Sequence, residues 1–171
     1  MPFDPSPPPV VAPAVVPPRA PAGIERMPPA EYMMHAARLV KAGRMDDAVF
    51  WFYVGQLRWR FDLAAHPEQD PTGGPALLAS LMDVLGTPIN AYAFGDIPRL
   101  TAVWDAVLAW DAAHDNGSTS KTRYAAAWEK QRAGLRSLRA DTLARRAEIE
   151  RTRVENGLAN RTAAGAGRPA G

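Results

Sequence analysis

The segment DDAVFWFYVGQLRWRFD, Asp46 to Asp62, places six aromatic side chains within seventeen residues. Wound on a helix at about 100° per residue, Phe50, Tyr53, Leu57 and Phe61 form one stripe. Ala48, Phe52, Gly55 and Trp59 form a neighbouring stripe, and Trp51 lies elsewhere on the circumference. A helix apolar over so much of its surface needs cover on several sides. The segment is therefore predicted to be the central helix of a small all-α domain of about five helices, with Trp51, Phe52 and Leu57 buried.

The sequence around it divides by composition. Residues 1–29 hold eleven of the seventeen prolines, which remove backbone donors and fix φ. Residues 1–28 are accordingly expected to form a disordered arm with polyproline-II character. Two PxxP spacings, Pro5 to Pro8 and Pro18 to Pro21, fit a ligand for an aromatic-lined groove, whereas a solvated leader is the simpler reading. Residues 29–116 read as an acidic helical domain and 117–161 as a long basic helix. Residues 162–171, rich in Ala and Gly, read as a disordered tail.

Helix boundaries follow from local signals. Pro28-Pro29 suits a first turn, and Gly43 suits the position just past a helix end. Asp46 is expected to cap the central helix, which ends near His66-Pro67. A third helix, from Ala76, is expected to stop at Gly86 and Pro88. A fourth runs from about Pro98 to His114. From Thr122 to about Asn156 a single long helix is expected, with Tyr124, Trp128, Leu135 and Leu138 packing its first half and a projecting second half.

The charge is unevenly placed. Residues 30–120 carry six Lys/Arg against eleven Asp/Glu, a balance of −5, and residues 121–161 carry eleven against five, a balance of +6. No cysteine is present, which excludes disulfides and thiolate metal sites. No apolar run reaches the roughly 20 residues of a membrane span. The proline-broken start, with no Lys or Arg before Arg19, does not fit a signal peptide. The chain is read as cytoplasmic, with no membrane partner.

The hairpin 32–60 resembles a single tetratricopeptide unit. Tyr32, Ala36, Leu39, Gly43, Ala48, Phe52 and Gly55 fall at that family's large, small and glycine positions, although Arg60 stands where its final proline would be. The resemblance implies closely packed paired helices and, in a stack, a peptide-binding face. Only one copy is visible, while a stable stack needs at least three repeats.

Chemistry-bearing motifs are absent. His35, His66 and His114 form no metal-ligand spacing, and no HExxH, GxSxG, P-loop or GxGxxG occurs. No catalytic, cofactor-binding or metal-ligating residue is assigned, and the carboxylates of Asp105 and Asp111 read as exposed or capping groups. Gln56, Arg58 and Arg60 interrupt the aromatic helix. Arg58 and Arg60 point about 200° apart, so Gln56, Trp59 and Arg60 are grouped as a partner-binding surface for an acidic protein. Arg58 is assigned a structural carboxylate among Asp62, Asp83, Asp96 and Asp105. The expected function is a non-enzymatic protein–protein interaction module, in one version a bacterial immunity or antitoxin-type inhibitor. The alternative is nucleic-acid association through Arg132, Arg136, Arg139, Arg145 and Arg146. Interspersed acids such as Glu129 and Asp141 favour a solvated, internally paired helix instead.

Overall fold

A computed structural model describes residues 12–164, and every regular element in that range is helical. After a short 3-10 turn at Ile24–Arg26 come α1 (Pro29–Lys41), α2 (Met45–Ala65), α3 (Gly74–Ala93) and α4 (Ile97–Ala113). The chain continues through α5 (Ala125–Ala144), α6 (Arg146–Glu155) and a single turn, α7 (Arg161–Ala164).

The aromatic helix α2 is the centre of the bundle. It packs against α1, α3, α4 and α5, and Trp51, Phe52, Val54 and Ala48 are wholly buried. Its rings meet neighbours edge-on, the favoured geometry for aromatic quadrupoles: Trp51 against Trp110 at 5.2 Å and Tyr53 against Trp104 at 5.5 Å between centroids. The small residues set the helix spacing. A Cβ on Gly55 would stand 2.8 Å from Tyr32 Cβ and 3.5 Å from the Met33 nitrogen, so α1 and α2 meet where a side chain is missing.

Several turns follow their sequence signals. Gly43 adopts φ +74° beyond α1, and the amides of Gly43 and Arg44 donate to the carbonyls of Val40 (3.0 Å) and Leu39 (2.9 Å). This double bond pattern closes a helix end when the residue after the cap is left-handed. Asp96 caps α4, accepting from the Arg99 amide at 3.0 Å.

Other elements depart from expectation. Asp46 does not cap α2, which starts one residue earlier at Met45, and Asp46 accepts instead from the Tyr92 hydroxyl at 3.0 Å. α3 continues through Gly86 and Pro88 to Ala93. The proline forfeits one bond to residue 84, but burial of Ile89 and Ala93 and the Tyr53–Asn90 hydrogen bond (2.7 Å) hold the last turns in place. Gly86 lies against Phe52, leaving room for that ring.

The expected single C-terminal helix is broken at Arg145. Beyond the break the chain returns to the body. Arg153 donates to the Ala91 carbonyl at 2.9 Å, and the Arg161 amide donates to Gly95 at 2.7 Å, both at the C-terminal end of α3. Guanidinium groups there satisfy carbonyls that have no helical partner, which is why the second half neither projects nor frays as expected. Part of the expected free arm is docked as well. Val15 packs on the core, Ile24 is buried, and the Glu25 carbonyl accepts from the Gly117 amide at 2.8 Å. Residues 1–11, with the first PxxP spacing, and 165–171 lie outside the described residues.

Two substitutions test this packing. Phe52→Ala is expected to cost about 3–5 kcal/mol by opening a core cavity. Gly55→Ala is expected to cost about 1–3 kcal/mol by overpacking the α1–α2 contact. Denaturant melts of both variants measure these losses, and wild-type midpoints would contradict the central-helix packing.

Candidate functional site

The polar residues that interrupt α2 separate into two environments. Arg58 is 1% exposed and is enclosed by α1, α4 and the loops. Its Nε donates to Asp111 Oδ1 at 3.0 Å, and Nη1 donates to the Tyr32 hydroxyl at 2.9 Å. Further bonds reach the carbonyls of Asp115 (2.9 Å) and His114 (3.0 Å). The guanidinium also lies over the rings of Trp110 and Tyr32. Burial and the fixed fork suit arginine and would not suit lysine.

The structural role expected for Arg58 is therefore present, but its carboxylate is Asp111 and none of the four acids expected. Asp111, read from sequence as exposed or capping, is 1% exposed. Its Oδ2 accepts from Trp128 Nε1 at 2.8 Å and from Arg132 Nη1 at 3.2 Å. Lys121 donates to the Asp111 and His114 carbonyls. Burial lowers the Lys121 ammonium pKa, Asp111 acts against that, and Arg58 and Arg132 add to it. Three cations thus converge on one carboxylate and on the open C-terminal carbonyls of α4, whose dipole supplies further negative potential. Burial likewise pushes the Tyr32 phenol up.

The surface group is rearranged as well. Gln56 and Arg60 line one cleft of about 390 Å³ between α2, α3 and α5. Trp59 does not join them; it is 4% exposed and belongs to the core. The cleft instead gains Asn90 from α3, Phe94 just past its end, and Gln131, Gly134, Leu135 and Leu138 from α5. Leu57, Phe94, Leu135 and Leu138 supply apolar wall. Gln56, Asn90 and Gln131 supply amides, while burial pushes the neighbouring Tyr53 phenol up and keeps it a neutral donor. No carboxylate lines the cleft, and among the described residues Arg60 makes no ion pair. Sequence reading missed the α3 contribution because it ended that helix before Asn90. It missed the α5 contribution because only tertiary packing brings Gly134 there, although a glycine inside a helix was a usable signal.

The five arginines grouped for nucleic acid are all engaged. Arg132 is buried at Asp111. Arg136 pairs with Glu129 at 2.6 Å, Arg139 with Asp105 at 2.8 Å, Arg145 with Glu148 at 3.0 Å and Arg146 with Glu150 at 2.7 Å. The hydrogen bonds from Arg136 and Arg145 hold Glu129 and Glu148 below the usual carboxylate range. Among the described residues no cluster of three or more His, Asp or Glu could hold a metal ion, and no helix is long and apolar enough to cross a membrane.

Comparison with known proteins is sparse. No protein-family profile matches the chain, and no solved structure matches it. A Haemophilus influenzae protein named "Uncharacterized protein" is 33% identical over 94 residues, covering 52% of this chain and 34% of that protein. The chain thus spans about a third of that relative's length.

The two arginines of α2 are expected to respond oppositely. Arg58→Ala is expected to cost about 3–5 kcal/mol, because it strands buried acceptors and leaves part of the Asp111 carboxylate unpaired. Arg58→Lys is expected to rescue little of it. Arg60→Ala is expected to melt as the wild type does. Thermal melts of the three variants decide this, and equal midpoints for Arg58→Ala and Arg60→Ala would refute the division.

Proposed function

We propose that the protein is a non-enzymatic helical interaction module that docks an acidic segment of a partner protein in the cleft bearing Gln56 and Arg60. The observation that carries this reading is the Arg60 guanidinium, which has no acid of its own at the mouth of a cleft with apolar walls and amide donors. Such a site favours an acidic side chain next to an apolar one: the apolar group contributes affinity by burial, and the charge contributes orientation and on-rate. The cleft falls within the size range of sites that accept a few side chains or a small ligand. Gly134 supports the reading, since a glycine inside a helix costs about 0.5–1 kcal/mol relative to alanine and here leaves the cleft open, with no atom near its missing Cβ.

The resemblance of the α1–α2 hairpin to a tetratricopeptide unit and the match to a bacterial protein are compatible with a cytoplasmic immunity or antitoxin-type inhibitor. The paired state of the arginines on α5 and α6 argues against the nucleic-acid reading, because phosphates would have to displace a carboxylate at each one.

Capture from the native host with the tagged protein, followed by mass spectrometry and a binding titration of the captured protein, tests the proposal. Arg60→Glu and Gly134→Leu are each expected to weaken that binding by about tenfold or more, the loss of one well-placed charge or of one buried side chain, without lowering the melting temperature. Full affinity in both variants would overturn the cleft as the docking site. Fluorescence anisotropy with duplex DNA and RNA at about 50 and 200 mM salt provides the second arm. Binding no tighter than about 10 µM at the higher salt is expected, as for non-specific association. Sub-micromolar, salt-steep binding lost on replacing Arg136, Arg139, Arg145 and Arg146 together would install the nucleic-acid reading instead. Those surface positions serve better than deletion of 121–161, which would remove Lys121, Trp128 and Arg132 from the core cluster.

A further inference from the structure

On the other side of the molecule, the extended segment before the 3-10 turn crosses α1 and α2 and encloses a second cleft, of about 360 Å³. Its rim holds Arg19, His35, Arg44 and Asp47, and Trp51 and Leu39 line it below. We propose that this cleft binds a small oxyanion, a carboxylate or phosphate group, held between Arg19 and His35.

Three features support the assignment. Arg19 is exposed and makes no ion pair among the described residues. The acid of the cleft lining, Asp47, is already engaged, because its Oδ2 accepts from Arg44 Nε at 2.8 Å. Trp51 on the cleft lining meets the His35 ring edge-on, with centroids 5.7 Å apart, and so positions the imidazole at the cleft. Finally, the surroundings of His35 are electropositive. Burial lowers its imidazole pKa first, then Arg38 and Arg44, with Asp47 opposing them. An imidazole biased toward its neutral form by burial and nearby guanidiniums becomes a cationic donor when an anion enters, since an opposite charge within contact distance favours its protonated form. The bound anion would accept from Arg19 and from the protonated His35 ring, and charge-assisted bonds of this kind are the stronger ones.

The proposal is tested by following the His35 ring signals by NMR from about pH 5 to 8, the range where histidine titrates. Three salts are compared at matched ionic strength: sodium chloride, sodium phosphate and sodium acetate. A His35→Gln variant assigns the signal, and His66 and His114 serve as internal references. A saturable rise of the His35 pKa in phosphate identifies a phosphate site, and one in acetate identifies a carboxylate site. In Arg19→Ala the midpoint of the responding salt is expected to rise by about tenfold or more, with unchanged melting because Arg19 is exposed. Superimposable His35 titrations in all three salts would overturn the proposal, and so would an Arg19→Ala protein with the wild-type response.

Discussion

The Asp111 carboxylate is the constraint around which the bundle is organised. A carboxylate that is 1% exposed is costly to bury unless it is fully partnered, and its partners come from separate parts of the chain: Arg58 from α2, Trp128 and Arg132 from α5. Arg58 then extends the network to Tyr32 on α1 and to the loop after α4. Apolar burial supplies the drive to collapse, but it is non-directional. The ionic cluster adds direction, because α2 must bring Arg58 to one oxygen while α5 brings Trp128 and Arg132 to the other. The excess of cations over acids at this point is balanced by the open carbonyls at the end of α4, so the helix terminus acts as part of the counter-charge.

That arrangement also explains the split between the two ends of the molecule's basic segment. Arg132 and Lys121 are structural parts of the core, and Arg153 with the Arg161 backbone closes the end of α3. Arg136, Arg139, Arg145 and Arg146 are matched one for one by carboxylates along α4, α5 and α6. A run that reads as a phosphate-binding strip in one dimension becomes a set of local pairs in three. Arg60 differs from them only in facing a cleft with no acid in it, and that difference gives the cleft its electrostatic character.

Much of the architecture was legible in the sequence. The density of aromatics on α2 announced a helix covered on several sides, Gly43 announced the turn after α1, and the angular separation of Arg58 and Arg60 announced their different fates. The failures share a physical cause. Pro88 and Gly86 were treated as terminators on local grounds, yet buried Ile89 and Ala93 outweigh one lost helical bond. Asp111 continues the buried stripe of Leu100, Val103, Trp104, Val107 and Leu108, yet its reading as exposed or capping followed from its charge, because the arginines that neutralise it come from other helices and no local pattern shows them. Trp59 was assigned to the surface by its proximity to polar residues, whereas the packing of α2 on several sides leaves it no route to solvent. The cleft's α5 wall depends on how α5 lies against α2, which no local pattern encodes.

The order in which the chain supplies the partners of Asp111 bears on how it is made. Synthesis from the N-terminus delivers Tyr32 and Arg58 before the aspartate, but Lys121, Trp128 and Arg132 after it. While α1 to α4 are already outside the ribosome, one carboxylate oxygen and several carbonyls at the end of α4 still lack their donors, and the aromatic face of α2 that α5 covers is open to solvent. Without α5 the first four helices would leave an apolar seam uncovered, of the kind that attracts chaperones or self-association. Arrival of α5 supplies the last donors of the Asp111 cluster and covers that seam together.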